Sequence, residues 1–200
     1  DGSEQWSFSG NGAIRMAPAS ADGRVFFGTD REFVALSLST GERLWQRSAG
    51  SFAETPPAVI GGSVLAADVG RSVSGRWHRF DARTGSEVWN LGLRDPPFTA
   101  LGFAGEGEAF TAAGQEVVQL DLDSGRSLAG MTTSQRVVGT PAVVGTNLVF
   151  ATDDGLVSVH DLATLERRWA IHLPEDARIQ DFVHSGTCLY LATAIGLFCF

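Results

Sequence analysis

The chain has 200 residues, of which 44% are apolar and 19% charged, with 24 glycines and a formal charge of −8. That length suits one domain able to hide about 70% of its surface on folding, and the composition excludes a disordered tail, a coiled coil and a collagen-like chain. All 15 basic residues are arginine, which excludes a P-loop lysine, a kinase nucleotide lysine and a Schiff-base lysine, while the acidic balance and scattered arginines argue against nucleic-acid binding.

From the amino terminus, residues 4–8 read as a strand around Trp6. Four more strands are expected at 16–20, 24–28, 33–38 and 43–47, divided by the turns Ala21-Asp22-Gly23 and Ser39-Thr40-Gly41, where glycine supplies the positive φ of a tight hairpin. The pattern then recurs. A short β-prone run ended by a turn signal appears at 25–30, 64–68, 108–112, 148–153 and 189–193, and each is preceded by a second run such as Pro56-Pro57-Ala58-Val59 or Thr140-Pro141-Ala142-Val143. Each period closes on tryptophan: Trp6, Trp45, Trp89 and Trp169, with Ala129 standing in the fourth place, at spacings of 39, 44, 40 and 40. Four short strands, A to D, per period of about 40 residues predict a propeller blade. A β-sandwich with strands every 8 to 12 residues is the competing architecture, but it does not account for a fixed tryptophan period.

The fold class expected is therefore all-β, a propeller of four-stranded antiparallel blades forming one domain over 1–200. Blade units fall near 14–48, 53–92, 97–132, 138–172 and 179–200. The chain opens in a D strand and closes after a C strand, so residues 1–10 are expected to complete the fifth blade and remove an exposed sheet edge. The rival is a piece of a larger seven- or eight-bladed ring.

The stretch Ala35-Leu36-Ser37-Leu38-Ser39-Thr40-Gly41-Glu42-Arg43-Leu44-Trp45 resembles the tryptophan-docking motif, Ala-x-Asp-x-x-Thr-Gly-x-x-x-Trp, of pyrroloquinoline-quinone (PQQ) type propeller repeats. Residues 79–89 look like the same motif with Asp81, Thr84, Gly85 and Trp89 in place. Residues 119–129 keep Asp121 and Gly125 without the tryptophan, and 159–169 keep Asp161, Thr164 and Trp169 with Leu165 for glycine. The resemblance implies that Trp6, Trp45, Trp89 and Trp169 are structural, packing between blades. It does not imply a quinoprotein: the dehydrogenases of that kind are longer and carry adjacent cysteines, whereas Cys188 and Cys199 lie eleven positions apart. These two are expected as buried free thiols, diagonal to one another across a hairpin turning at Ala194-Ile195.

The other constellations are bland. His78, His160, His172 and His184 stand singly, so no metal site is expected. Asp121-Leu122-Asp123-Ser124-Gly125 lacks the remaining ligands of a calcium loop, and Gly105-Glu106-Gly107-Glu108 lacks the following helix of a dinucleotide fingerprint. No catalytic residue and no cofactor are assigned. The D–A and B–C connections are expected to converge on one face, where loops on a rigid scaffold commonly carry recognition. Its D–A candidates are Arg15, Glu54, Arg94, Asp95, Arg136, Arg178 and Asp181, and its B–C candidates are Asp30, Arg31, Arg71 and Asp153. A longer connection over 68–76, with Trp77 and Arg79 beside it, adds Trp77 to the candidate contact residues.

These features predict a non-catalytic sensor or interaction module, a monomer with a protein or small-molecule ligand at the loop face and no membrane span. The start at Asp1, without initiator Met or leader, suggests a domain of a larger protein. Actinobacterial serine/threonine kinases carry similar PQQ-like propellers, and the lysine-free, arginine-rich composition fits a high-GC parent of that kind. An envelope scaffold similar to the propeller lipoprotein of outer-membrane protein assembly is the alternative, and a PQQ-dependent dehydrogenase fragment is the second. An extracytoplasmic or cell-envelope location is favoured over a cytoplasmic one.

Overall fold

The computed structural model describes residues 2–48, 50–52, 54–70, 74–105, 107–174, 177–185 and 188–199. The chain divides into two compact units, Asp1–Phe98 and Thr99–Phe200, and all of its regular structure among the described residues is strand. The fold is an all-β propeller of five antiparallel sheets.

In the first unit, β1 (Ala19–Ala21), β2 (Arg24–Gly28), β3 (Phe33–Ser37) and β4 (Arg43–Arg47) form one meander, and β5 (Ala58–Ile60), β6 (Ser63–Val69), β7 (Gly75–Asp81) and β8 (Glu87–Leu93) form the next. The second unit holds β9 (Gly102–Phe103), β10 (Glu108–Ala113), β11 (Glu116–Asp121) and β12 (Ser127–Thr132), then β13 (Val137–Val144), β14 (Asn147–Thr152), β15 (Leu156–Asp161) and β16 (Arg167–His172). Its last sheet has three strands, β17 (Ile179–Ser185), β18 (Cys188–Thr193) and β19 (Leu197–Cys199).

Local chemistry explains the meanders. The two-residue loop Asp22-Gly23 joins the paired residues Ala21 and Arg24, and both loop residues have positive φ, 48° and 71°, as a type I′ hairpin turn requires. The C–D turns are held by the motif carboxylate. Asp81 Oδ1 accepts hydrogen bonds from Arg83 N at 3.1 Å, Thr84 N at 2.7 Å and Thr84 Oγ1 at 2.7 Å, and Asp161 Oδ1 accepts from Ala163 N and Thr164 N at 3.0 and 2.9 Å. Each of the four motifs, degenerate ones included, also carries a β-bulge where strand C meets strand D, at Ala35/Leu36, Arg79/Phe80, Gln119/Leu120 and Val159/His160. The bulge leaves Leu44, Val88 and Leu128 half exposed and turns the following residue toward the neighbouring sheet.

That turned residue is the tryptophan. Trp45, 7% exposed, joins Phe26, Phe33, Phe52, Val64 and Phe80 in the core shared by the two sheets of the first unit. Its Nε1 donates to Ala82 O at 3.0 Å, and its ring lies so close to Gly85 that a Cβ there would meet it at 2.5 Å. Gly85 also has φ +68°, so glycine is required twice at one position. Trp6 repeats the arrangement one sheet earlier, donating to Leu38 O at 3.0 Å and covering Gly41, with 2.6 Å to a Cβ there. Phe8 meets Phe27 edge-on with ring centroids 5.7 Å apart.

Two expectations are corrected here. Residues 4–8 form no strand: their contacts with the first sheet are side-chain contacts, and a strand needs a backbone ladder. Cys199 pairs with Tyr190, which sets it diagonal to Cys188 as expected, but it is exposed rather than buried. The face it shares with Val183 and Leu197 is open, those two being 63% and 72% exposed.

The degenerate motif is compensated. Where the other turns have glycine, Leu165 holds φ +58°, a conformation costing a non-glycine residue roughly 1–2 kcal/mol. Its side chain packs with Met131 against the cluster of Phe110, Ala112, Val117, Val137, Leu148 and Phe150. Met131 lies two residues from Ala129 on β12, on the same strand face. Leucine in the turn therefore supplies the apolar bulk that an indole at position 129 would have brought.

Two outcomes are expected in urea denaturation. Trp45→Ala costs about 3–5 kcal/mol, whereas Trp169→Ala, at a side chain already 47% exposed, costs under about 1 kcal/mol. Ala129→Trp combined with Leu165→Gly is more stable than the sum of the single changes predicts, with a coupling of about 1 kcal/mol or more.

Candidate functional site

Strand ends decide where the charged candidates lie. In the first unit, Arg15 and Glu54, each just ahead of the first strand of its sheet, pair through Nη1 and Oε1 at 3.0 Å. Asp30, in the turn after β2, accepts a hydrogen bond from Ala13 N at 3.1 Å. Thr29 Oγ1 accepts from Arg31 N and Glu32 N at 3.1 and 2.9 Å, which leaves Arg31 exposed at the tip of that turn. Arg94 and Asp95 are exposed in the connection after β8.

In the second unit three candidates meet. Arg136 precedes β13, Asp153 begins the turn after β14, and Arg178 precedes β17; all three line one cavity of about 850 Å³ with Gln135, Val138, Asp154, Ala177, Ile179, Gln180 and Ala194. Arg136 Nε is 3.7 Å from Asp153 Oδ2, with both side chains largely exposed. Asp154 Oδ1 instead holds its own turn, accepting from Thr152 Oγ1 at 2.5 Å and Leu156 N at 3.4 Å.

Three candidates fall elsewhere. Trp77 is fully buried, at 0% exposure, in the middle of β7 between Ala67 on β6 and Leu91 on β8, so it presents no contact surface. The extra residues of that unit lengthen its strands: β6, β7 and β8 have seven residues each, against five in β2, β3 and β4. Asp181 lies inside β17, where its Oδ1 accepts from Phe182 N at 2.8 Å. Arg71 lies outside the described residues.

The longer sheet also buries a charged group that sequence spacing does not reveal. His78, 3% exposed, stacks on Phe80 with centroids 5.4 Å apart and planes 6° apart. Its Nδ1 bonds Glu87 Oε2 at 2.8 Å, and its Nε2 faces the buried Asp68 Oδ1 at 3.6 Å. The second distance is too long for a hydrogen bond, and neither atom has another partner, so charge attraction is what relates them. Burial pulls the imidazole's pKa down, but the two carboxylates outweigh it and hold the pKa above 6.5. Only the imidazolium can offer a proton to both sides. Asp68 and Glu87 lie ten and nine positions from His78 and meet it only through the register of three strands.

Two more carboxyls are perturbed for structural reasons. Backbone donors at Thr164 and the Arg168 guanidinium bring the Asp161 carboxyl down to about 2, and Thr84 holds Asp81 below its ordinary value. Among the described residues, no group of three His, Cys, Asp or Glu side chains is arranged to hold a metal.

A family model described as outer membrane protein assembly factor BamB matches residues 1–100 and 73–190. The chain belongs to this PQQ-repeat propeller family. No curated protein matches it. Solved structures agree on the fold: BamB from Moraxella catarrhalis superposes with a TM-score of 0.78 at 18% identity, over 98% of this chain and 62% of that one. The computationally designed Ika8 protein gives 0.77 at 16% identity, over 92% of this chain and 57% of that one. A europium-containing methanol dehydrogenase gives 0.75 at 13% identity, over 94% and 55% respectively. The chain thus spans less than two thirds of each of these proteins.

The pH dependence of stability follows from His78. A group whose folded pKa is raised contributes stability that is full below its unfolded pKa, 6.5 here, and that is lost as pH rises through the folded value. The melting temperature is expected to fall as the pH rises above about 6.5, and His78→Gln is expected to flatten that slope in thermal melts taken across the range.

Proposed function

We infer that this chain is a monomeric, non-catalytic propeller segment acting as a protein-interaction or sensor module through its loop face. The observation that carries this reading is the cavity in the second unit, where two D–A connections and one B–C turn bring Arg136, Asp153 and Arg178 together. Its supporting argument is a division of labour. Side chains on the strand faces are used in sheet-to-sheet packing, and the charged groups near them cap turns or pair with each other, whereas loops on a rigid scaffold are free to recognise a ligand. Residues such as Arg15, Asp30, Arg31, Glu54 and Arg94 extend the same kind of surface in the first unit.

The lysine-free, arginine-rich composition and the resemblance to kinase-linked propellers favour a larger bacterial parent such as a serine/threonine kinase, with this segment as its extracytoplasmic sensor. A second reading, an envelope assembly scaffold, is favoured by the family's own description as an outer membrane protein assembly factor. The two differ in partner and not in chemistry. A fragment of a PQQ-dependent dehydrogenase is the enzymatic rival, since a methanol dehydrogenase shares the fold.

Titration with PQQ and calcium, followed by a dye-linked alcohol oxidation assay, separates the classes. The expected outcome is no saturable cofactor binding and no dye reduction; saturable binding together with oxidation overturns the non-catalytic reading.

A further inference from the structure

We propose that the cavity beside the starts of β13 and β17 binds an extended peptide segment carrying a carboxylate side chain, with Arg178 reading the charge. This rests on the interaction-module reading above and adds the chemistry of its ligand.

The first argument is the guanidinium left without a partner at the cavity. Of the two lining carboxylates, Asp154 is committed to Thr152 Oγ1 and Leu156 N, and Asp153 faces Arg136. Arg178 is exposed, and its guanidinium makes no hydrogen bond or ion pair with any described residue. The lining carries two guanidiniums and two carboxylates, and Arg178 is the guanidinium with no carboxylate partner among the described residues. Its planar fork accepts a carboxylate through two parallel N–H···O bonds, a geometry that a point-charge ammonium does not reproduce.

The second argument is the shape and lining. Cavities for compact cofactors are mostly apolar and enclose their ligand, but this one is open on one side and lined largely by polar and charged side chains. Gln135 and Gln180 each bring a donor and an acceptor, the complement of a peptide backbone. Val138, Ala177, Ile179 and Ala194 supply the apolar contact that the carbon atoms between successive amides need. A volume of about 850 Å³ suits several residues of extended chain, at roughly 3.3–3.6 Å each. The positions are fixed from below, because Val138 and Ile179 belong to strands whose sheets share a packed core.

The test is fluorescence anisotropy with a labelled peptide Gly-Asp-Gly-Asp-Gly-Gly and its Asn-for-Asp counterpart. The expected result is at least tenfold tighter binding of the Asp peptide, loss of that preference in Arg178→Ala, partial recovery in Arg178→Lys, and no change in Arg43→Ala on β4. Thermal melts on each variant separate lost binding from lost folding. Equal binding of the two peptides, or an undiminished preference in Arg178→Ala, overturns the proposal. Displacement of the peptide by succinate at equal concentration overturns its peptide component and assigns the site to free carboxylates. These outcomes leave the module reading standing, whereas PQQ binding with dye-linked oxidation sinks that reading itself.

Discussion

The seating of an indole from the outer strand of one sheet over a glycine in the C–D turn of the next is the contact on which this propeller depends. At Gly85 three demands coincide: a backbone with φ +68°, the absence of a Cβ that would lie 2.5 Å from the Trp45 ring, and a free carbonyl at Ala82 for the indole N–H. A four-stranded meander has two apolar faces and cannot bury both alone, so each sheet is stable only against neighbours. The indole contact sets the register of that stacking. Everything upstream serves it: Asp81 organises the turn so that the glycine and carbonyl are presented, and the bulge at Ala35/Leu36 turns Trp45 inward.

Because the contact has two halves on different sheets, a change in one half is absorbed only by a matching change in the other. Ala129 and Leu165 are such a pair. Removing the indole relieves Leu165 of the close approach that demands glycine, and leucine then refills the volume from the turn side at the cost of a left-handed backbone. Trp169 illustrates the opposite case. With a three-stranded final sheet, its ring remains 47% exposed while Trp45 and Trp89 reach 7% and 9%.

The same physics decides what was legible in the sequence. A contact that recurs once per sheet imprints a period, so the tryptophans, the turn glycines and the B, C and D strands could be read from spacing; the strands at 24–28 and 43–47 match β2 and β4 residue for residue. Strand A was less legible. It pairs on one side only and follows prolines, so β1 covers Ala19–Ala21 where 16–20 was expected. Trp77 misled because an insertion rich in Arg and Trp looks like a loop when it in fact lengthens three strands. The Asp68, His78 and Glu87 constellation was invisible for a different reason: its members are diagonal neighbours on adjacent strands, and diagonals have no linear signature. Strand phase did place Arg136, Asp153 and Arg178 at the same end of neighbouring sheets, while the depth of Asp181 within β17 depended on a register shift at Ile179/Asp181.

Charge is treated differently in the two places where it gathers. Inside the first unit, an imidazolium between Asp68 and Glu87 is almost fully removed from water, where an unpaired ion is too costly to persist. Its partners must therefore come from the chain itself, and the Glu87 carboxylate is further fixed by Asn90. At the loop ends of the second unit, water meets the same need, so a guanidinium such as Arg178 persists without a partner at little cost. Folding thus has to pair the charges buried between sheets, whereas a charge at a strand end can stay unpaired, as Arg178 does. A scaffold built in this way can change charged groups such as Arg136, Asp153 and Arg178 without disturbing the stacking beneath, since none of them belongs to the packed clusters between sheets.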